Sequence, residues 1–240
     1  LGSRPFVVFK AEKYREIQVT KIEILFEDQW LVAATKMSGV PVHQTLDKTR
    51  AHFQGILEKQ LGQKLVLFHR LDADTSGVVL FGKNPEINKA MTDLFRNREI
   101  KKTYELVVDG AWPPDLNVVE GYVCESQTKK GRYELSPKGR NTEFSRTTFE
   151  LLKTWNHSTK PDSMRTHLYA FPETGRTHQI RVHCAGMGFP ICGDKFYGKA
   201  NRQGVPLALH ARQLEFEHPI TLEKISIQSA IPNSLSYWLS

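Results

Sequence analysis

Two polar segments of this chain carry the residue types from which an active site is built. The first is His69-Arg70-Leu71-Asp72-Ala73-Asp74-Thr75-Ser76-Gly77, which places two carboxylates, an arginine and two hydroxyls between the apolar runs Leu65–Phe68 and Val78–Phe81. A carboxylate held there can act as a nucleophile, as a base or as the electrostatic partner of a developing positive charge. The second is Thr174-Gly175-Arg176-Thr177-His178-Gln179-Ile180-Arg181-Val182-His183, a turn that leads into a helix bearing two arginines and two histidines. A guanidinium suits a carboxylate or phosphate, because its planar fork binds either through paired hydrogen bonds. Plainer readings account for each segment alone. Asp, Thr, Ser and Gly all favour turns, and a helix with a solvated basic face needs no ligand.

Other chemistries can be weighed on the same residues. Asp72 and Asp74, at i and i+2, would lie on one side of an extended strand about 6.6 Å apart, near the carboxylate spacing of glycosidases. His178, His183, Cys184 and Cys192 are zinc-ligand types. The His-x4-His spacing, however, sets the two imidazoles about 140° apart around a helix, unlike the i, i+4 pair of helical zinc sites. No metal is expected.

The elements that must hold these segments follow from hydrophobic spacing. Ile22 to Lys36 reads as strand, turn and strand, with Val40–His43 as a short extended piece. Thr49 is the expected N-cap of a helix whose apolar face is Phe53, Ile56, Leu57 and Leu61, closed by Gly62. Leu65–Phe68 and Val78–Phe81 are apolar runs too short for helices and read as buried strands. Asn84-Pro85 opens an amphipathic helix through Ile87, Ala90, Met91, Leu94 and Phe95, followed by a strand over Tyr104–Val108. The polar stretch from Gly110 to Asn141 suggests peripheral strands and loops. Thr142–Leu152 and Arg165–Phe171 alternate as strands around a polar loop from His157 to Ser163. A helix over Thr177–Met187, closed by Gly188, precedes closing strands at Leu207–Phe216 and Lys224–Ile227. Strands with a few interspersed helices, without regular alternation, indicate an α+β fold around a mixed, mostly antiparallel sheet.

Charge narrows the partner. Lys and Arg total 33 against 26 Asp and Glu, with an isoelectric point near 9.3. Such a surplus favours polyanions over neutral sugars. It is densest at Arg96–Lys102, with four basic residues and one acid, and at Lys129–Arg140, with five and one. No apolar run is long enough to cross a bilayer, and the first residues carry no secretion signal, so no membrane partner is expected and the cytoplasm is the expected location. The cysteines Cys124, Cys184 and Cys192 form neither an even framework nor a C-x-x-C pair, as suits reduced thiols.

Taken together, the two polar segments resemble a known family. His69-Arg70-Leu71-Asp72 with Thr75-Ser76-Gly77 is similar to the HRLD-x-x-TSG signature of RluA-type RNA pseudouridine synthases, and Gly175–His183 resembles their GRTHQIRVH motif. Lys102-x-Tyr104 resembles the family's K-x-Y motif, and Gly188–Asp194 its G-x-P-I-x-GD continuation. Leu209-His210-Ala211 and Phe216-Glu217-His218-Pro219 match its C-terminal pattern, so the resemblance spans residues 22 to 232. It implies a catalytic domain over 22–240 behind an N-terminal extension, 1–21, too short for the S4 RNA-binding domain of many relatives. The catalytic domain is then expected to grip RNA itself, with no obligate protein partner. One departure is plain: where the family reads Lys-Pro, this chain has Lys36-Met37, which puts a turn and the role of Lys36 in question.

The resemblance implies isomerisation of specific uridines in tRNA or ribosomal RNA to pseudouridine. The C1′–N1 bond breaks, the uracil turns, and a C1′–C5 bond forms. Asp72 is the implied catalytic carboxylate, whether it attacks uracil C6, attacks C1′ or takes the 2′ proton. Arg181 is implied to pair with Asp72, and Tyr104 to stack on the extruded uracil and help remove the C5 proton. Arg70 is implied either to fill the gap left by the flipped base or to contact a phosphate or a structural carboxylate. Thr75, Ser76 and Gly77 are expected to shape the loop, with His178 and Gln179 in support, while Asp74 lies outside the family's invariant signature. No cofactor or metal is expected, since isomerisation is redox-neutral and the uracil stays in the product. The alternative is a non-catalytic RNA-binding module, against which Asp72, Tyr104 and Arg181 stand together.

Overall fold

The computed structural model describes residues 21–157, 163–198 and 204–239. Nearly all of the expected N-terminal extension and the centre of the 157–163 loop lie outside these residues. The described chain folds as α+β around one eleven-stranded sheet. Its strands are β1 Ile24–Glu27, β2 Leu31–Lys36, β3 Val66–Leu67, β4 Ser76–Gly82, β5 Lys101–Asp109, β6 Val118–Glu125, β7 Tyr133–Ser136, β8 Glu143–Asn156, β9 Met164–Pro172, β10 Leu209–Glu217 and β11 Lys224–Gln228. The main path runs β1-β2-β4-β10-β5-β9-β8-β6-β7, with β3 paired to β4 and β11 to β10. Every pairing is antiparallel except β4 with β10, where Ser76 lies opposite His210.

The mid-sheet strand β4 is buried along its whole length, which explains its unbroken apolar run. Its Val79 and Phe81 pack with Phe53 and Leu57 of α1, Phe53–Leu61, whereas Val78 and Leu80 pack on the opposite face with Met91 of α2, Asn88–Arg96. A third cluster, around Leu106, Leu168, Cys184 and Ile191, supports α3, Gln179–Gly186, and α4, Asn233–Leu239. Tyr104 packs against both this cluster and the α1 cluster and so marks the seam between them. Gly77, at φ 121, lies where a side chain would overlap the backbone of Ala211, and its bareness lets β4 and β10 meet.

Several boundaries depart from the pattern. α1 starts at Phe53, not behind Thr49, because Asp47 captures both the N–H and the hydroxyl of Thr49 in a turn. Gly62 closes the helix at φ 70 as expected. The anticipated buried strand Leu65–Phe68 shrinks to the two residues of β3, with Val66 42% exposed, because it is only an edge piece beside β4. Asn84 caps a 3-10 turn over Pro85–Ile87 before α2 begins. The third helix begins at Gln179, two residues after Thr177, since His178 takes a left-handed backbone. No helix of the described residues is long and apolar enough to cross a membrane.

Candidate active site

A cleft of about 320 Å³ opens between the 69–75 loop, β5 and the start of α3, lined by Arg70, Asp72, Tyr104, His178, Ile180 and Arg181 among others. Its floor owes its depth to small neighbours: Tyr104 on β5 faces Ala211 of β10 on one side and Ala170 of β9 on the other. The phenol is pushed above its ordinary pKa by burial and by the nearby Asp72 carboxylate, so it keeps its proton.

A lysine and a histidine hold the loop bearing Asp72 from its two flanks. Lys36 is fully buried, and its ammonium donates to the carbonyls of Met37, Val40 and Ala73 at 3.0, 2.8 and 2.9 Å. The Ala73 carbonyl also accepts the Gly39 N–H at 2.8 Å, so the turn at Met37 and the Asp72 loop are clamped together. Burial pulls the Lys36 pKa down to about 7, against the opposing pull of Asp74 and Asp72. The position in question is therefore a loop anchor, and Met37 leaves it intact. On the other flank, His69 accepts the Leu80 N–H through Nε2 at 3.0 Å, and burial pushes its pKa down to about 3. Lys102 also lines the cleft, its pKa lowered by burial.

The first residues of α3 are tied to β8 by a side-chain network. Gln179 donates to the Arg146 carbonyl and the Thr147 hydroxyl, both at 2.9 Å, and accepts from the Thr174 hydroxyl at 2.6 Å and the Arg176 N–H at 3.0 Å. One turn later His183 bonds the Ser145 hydroxyl at 2.8 Å. With that face of the helix committed, Arg181 is delivered into the cleft.

Arg181 is 3% exposed and spans two carboxylates. Nη1 donates to Asp72 Oδ2 at 3.0 Å, while Nε and Nη2 grip Asp194 at 2.8 and 2.9 Å in a two-point bond. Burial alone would lower the guanidinium's pKa, but Asp194 and Asp72 outweigh it and the net direction is up. Asp194, fully buried, is itself held by the N–H groups of Phe196 and Tyr197. The guanidinium also lies over the Phe196 and Tyr197 rings at 5.3 and 5.2 Å. His178 reaches Asp72 from another side, with Nε2 3.7 Å from Oδ2.

The structure thus brings Asp72, Tyr104 and Arg181 into one cleft. Arg70 stands exposed at its mouth, with a 3.5 Å hydrogen bond to Thr177 and no ion pair to the described residues. Asp194 stood in the sequence only as the end of the G-x-P-I-x-GD match, with no role attached; the signal for it is that a buried guanidinium offers more donors than one carboxylate can use. The glycosidase geometry fails. Asp72 and Asp74 sit in a turn closed by the bond from Thr75 N–H to the Asp72 carbonyl, not in a strand, and Asp74 turns toward Lys195 at 3.8 Å. Of the zinc-type residues, His178 and His183 are committed to Tyr197 and Ser145 respectively. In the basic cluster at Arg96–Lys102, Arg96, Arg98 and Lys101 are exposed, Arg96 beside Asp93, while Lys102 turns into the cleft. The hairpin loop carrying Lys129 and Lys130 is exposed.

Residues 30–186 match the family described as RNA pseudouridylate synthase. The chain belongs to this family. It is 32% identical over 224 residues to the tRNA pseudouridine synthase C of Vibrio cholerae, covering 88% of this chain and 91% of that protein. It is 33% identical over 226 residues to the ribosomal large subunit pseudouridine synthase C of Yersinia pestis, covering 90% of this chain and 68% of that one. Among solved structures it resembles human RNA pseudouridylate synthase domain containing 4, with a TM-score of 0.71 and 27% identity, covering 90% of this chain and 91% of that one. Membership makes the chain a pseudouridine synthase with the family's mixed, mostly antiparallel sheet.

Proposed function

We propose that this pseudouridine synthase acts on uridines in tRNA or ribosomal RNA, with Asp72 as the reacting carboxylate and Arg181 and Tyr104 beside it. The observation that carries this reading is the buried guanidinium that joins Asp72 to Asp194 within a cleft of base size. Desolvating such charges costs several kcal/mol, an expense with no purpose in a module that merely binds RNA. The relatives that modify tRNA and ribosomal RNA supply the substrate class, and the exposed basic hairpin suits a phosphate backbone.

In this mechanism the target uridine leaves its stack, at a cost of a few kcal/mol, and its ring enters above Tyr104. Asp72, its charge countered by Arg181, engages the base or sugar as the C1′–N1 bond breaks. The uracil turns, C5 bonds to C1′, the C5 proton departs and N1, freed from C1′, takes up a proton, so nothing is oxidised or consumed. A phenol that retains its own proton stacks better than it serves as a base, which favours the stacking role for Tyr104. Arg70, free of ion pairs with the described residues, is available to the gap left in the RNA. The domain over 22–240 performs these steps by itself.

Because C5 loses its hydrogen, RNA transcribed with uridine tritiated at C5 reports the reaction as tritium released to water. Release from a tRNA or ribosomal RNA transcript, without added cofactor and after chelation of the protein, is the expected result. Unchanged label in both RNA classes would overturn the reading.

A further inference from the structure

The residue that precedes α3 is strained. His178 takes φ 56, a left-handed conformation that costs a non-glycine residue on the order of 1 kcal/mol and persists only where its surroundings hold it. The surroundings here form a chain. Nδ1 of His178 lies 2.8 Å from the Tyr197 hydroxyl, and that hydroxyl accepts the Tyr133 N–H at 2.9 Å. The rings of Tyr133, Phe196 and Tyr197 enclose the imidazole at centroid distances of 5.7, 5.6 and 5.7 Å.

This chain favours one position for the imidazole proton. A hydroxyl that accepts from Tyr133 has one proton to give, and Nδ1 is the acceptor it reaches. A neutral imidazole with Nδ1 accepting carries its own proton on Nε2, the nitrogen facing Asp72. The other tautomer would set a lone pair against the Asp72 carboxylate and leave the Tyr197 proton unused. The groups facing the ring are Asp72 and Arg70 from the loop, Arg181 on α3, Asp194 and Tyr197 from the turn after it, and Tyr133 on β7. Burial lowers the His178 pKa; Asp72 and Asp194 oppose that shift, while Arg181 and Arg70 reinforce it, so the neutral ring is favoured.

We propose that His178 is a positioning residue for the reaction, its Nε2–H steadying the Oδ2 edge of Asp72 and leaving Oδ1 for the substrate. This rests on Asp72 being the reacting carboxylate. Both donors approach Oδ2, Arg181 at 3.0 Å and His178 at 3.7 Å, and no hydrogen bond from the described residues reaches Oδ1. The His178 separation is longer than a hydrogen bond, and a small rotation of Asp72 as the base enters closes it. Tyr133 also follows the basic hairpin loop, and the Arg132 guanidinium lies 5.3 Å over the Tyr197 ring. The hairpin proposed to grip RNA is thus joined to the hydroxyl that sets the His178 tautomer.

Two substitutions at His178 isolate the hydrogen bond. His178→Gln keeps an N–H near the Nε2 position and His178→Leu does not, while both bear the same backbone strain. With C5-tritiated tRNA and ribosomal RNA transcripts at saturation, His178→Leu should lower kcat about tenfold, the effect of one hydrogen bond, with KM within about twofold. His178→Gln should recover most of that loss. Tyr197→Phe, which removes one oxygen, should lower kcat several-fold, and nitrogen-15 spectra of histidine-labelled enzyme should show Nε2–H in the wild type and mixed tautomers in this variant. Wild-type turnover in His178→Leu, equal losses in Leu and Gln, or an Nδ1–H ring in the wild-type enzyme would each overturn the proposal. Asp72→Asn, run in parallel, separates the outcomes: its continued turnover removes the Asp72 reading itself, whatever the His178 variants do.

Discussion

Two cavities lie on either side of Arg176, and the larger is not the one to which the proposed chemistry belongs. The larger, about 530 Å³, is walled by the β6–β7 hairpin and the 137–143 loop, with Glu125, Arg140, Glu143 and Arg176 around it. The smaller, about 320 Å³, holds Asp72, Tyr104 and Arg181. Both contain arginines and carboxylates, and they differ in what water does to those charges. The Arg176–Glu143 pair has side chains 33% and 63% exposed, whereas Arg181 and Asp194 are 3% and 0% exposed. An exposed pair is screened and contributes about 0–1 kcal/mol. A buried guanidinium already oriented by one carboxylate is held in place for a second, and that preorganisation is what a transition state can use. Desolvated, pre-aimed charge separates the cavities where volume misleads.

The sharpest way to break this contrast is Asp72→Asn, which removes charge but little volume. Tritium release should fall by at least about 10³-fold, on the scale of losing a preorganised electrostatic group, while RNA affinity in a filter assay stays within several-fold. Asp194→Ala comes next. It strands one side of a buried guanidinium, and urea unfolding should show a loss of about 3–5 kcal/mol, together with slower turnover as Arg181 loses its aim. Acid supplies a third test: burial holds the neutral His183 and His210 down to about 4, below the ordinary histidine value. The unfolded chain therefore binds more protons between pH 6.5 and 4, and stability should decline across that window as pH falls, by up to a few kcal/mol per ring.

Smaller effects belong to the exposed side. Neutralising Lys129 and Lys130 together should flatten the plot of log K against log salt by about 0.7 for each phosphate of single-stranded RNA that is no longer neutralised, with kcat unchanged. Arg132 does not belong in that set, although distance along the chain suggests it: its guanidinium covers Tyr197, and Arg132→Gln should lower kcat as well. Glu143→Gln, in the larger cavity, should shift stability by no more than about 1 kcal/mol and turnover by less than about twofold. A large loss there would erase the contrast between the two cavities.

Much of this arrangement was legible in residue order. The unbroken apolar run of β4 announced a strand covered on both faces, and the period of Ile87, Met91 and Leu94 announced α2. The two motif segments pointed to one cleft. What escaped were features made by residues distant in sequence or by local competition. Thr49 has the right chemistry for a cap, yet Asp47 competes for it from two residues away. The value of Lys36 lies in three carbonyls, one of them 37 residues along the chain. His178 sits inside a helical pattern, and only Tyr197 and Tyr133 reveal why it leaves the helix. Spacing specifies which face a residue occupies; it does not reveal what waits on the other side.

The parallel seam between β4 and β10 also bears on how the protein is made. Ser76 opens β4 directly after the Asp72 loop and bonds His210, 134 residues later. Such a pairing closes a long loop and forms slowly. During synthesis the loop bearing Asp72 has no partner strand on that side until β10 has left the ribosome. Until then the loop is braced on one side alone, by Lys36 and Gly39, and a nascent chain truncated before β10 should be unable to modify the RNA around it.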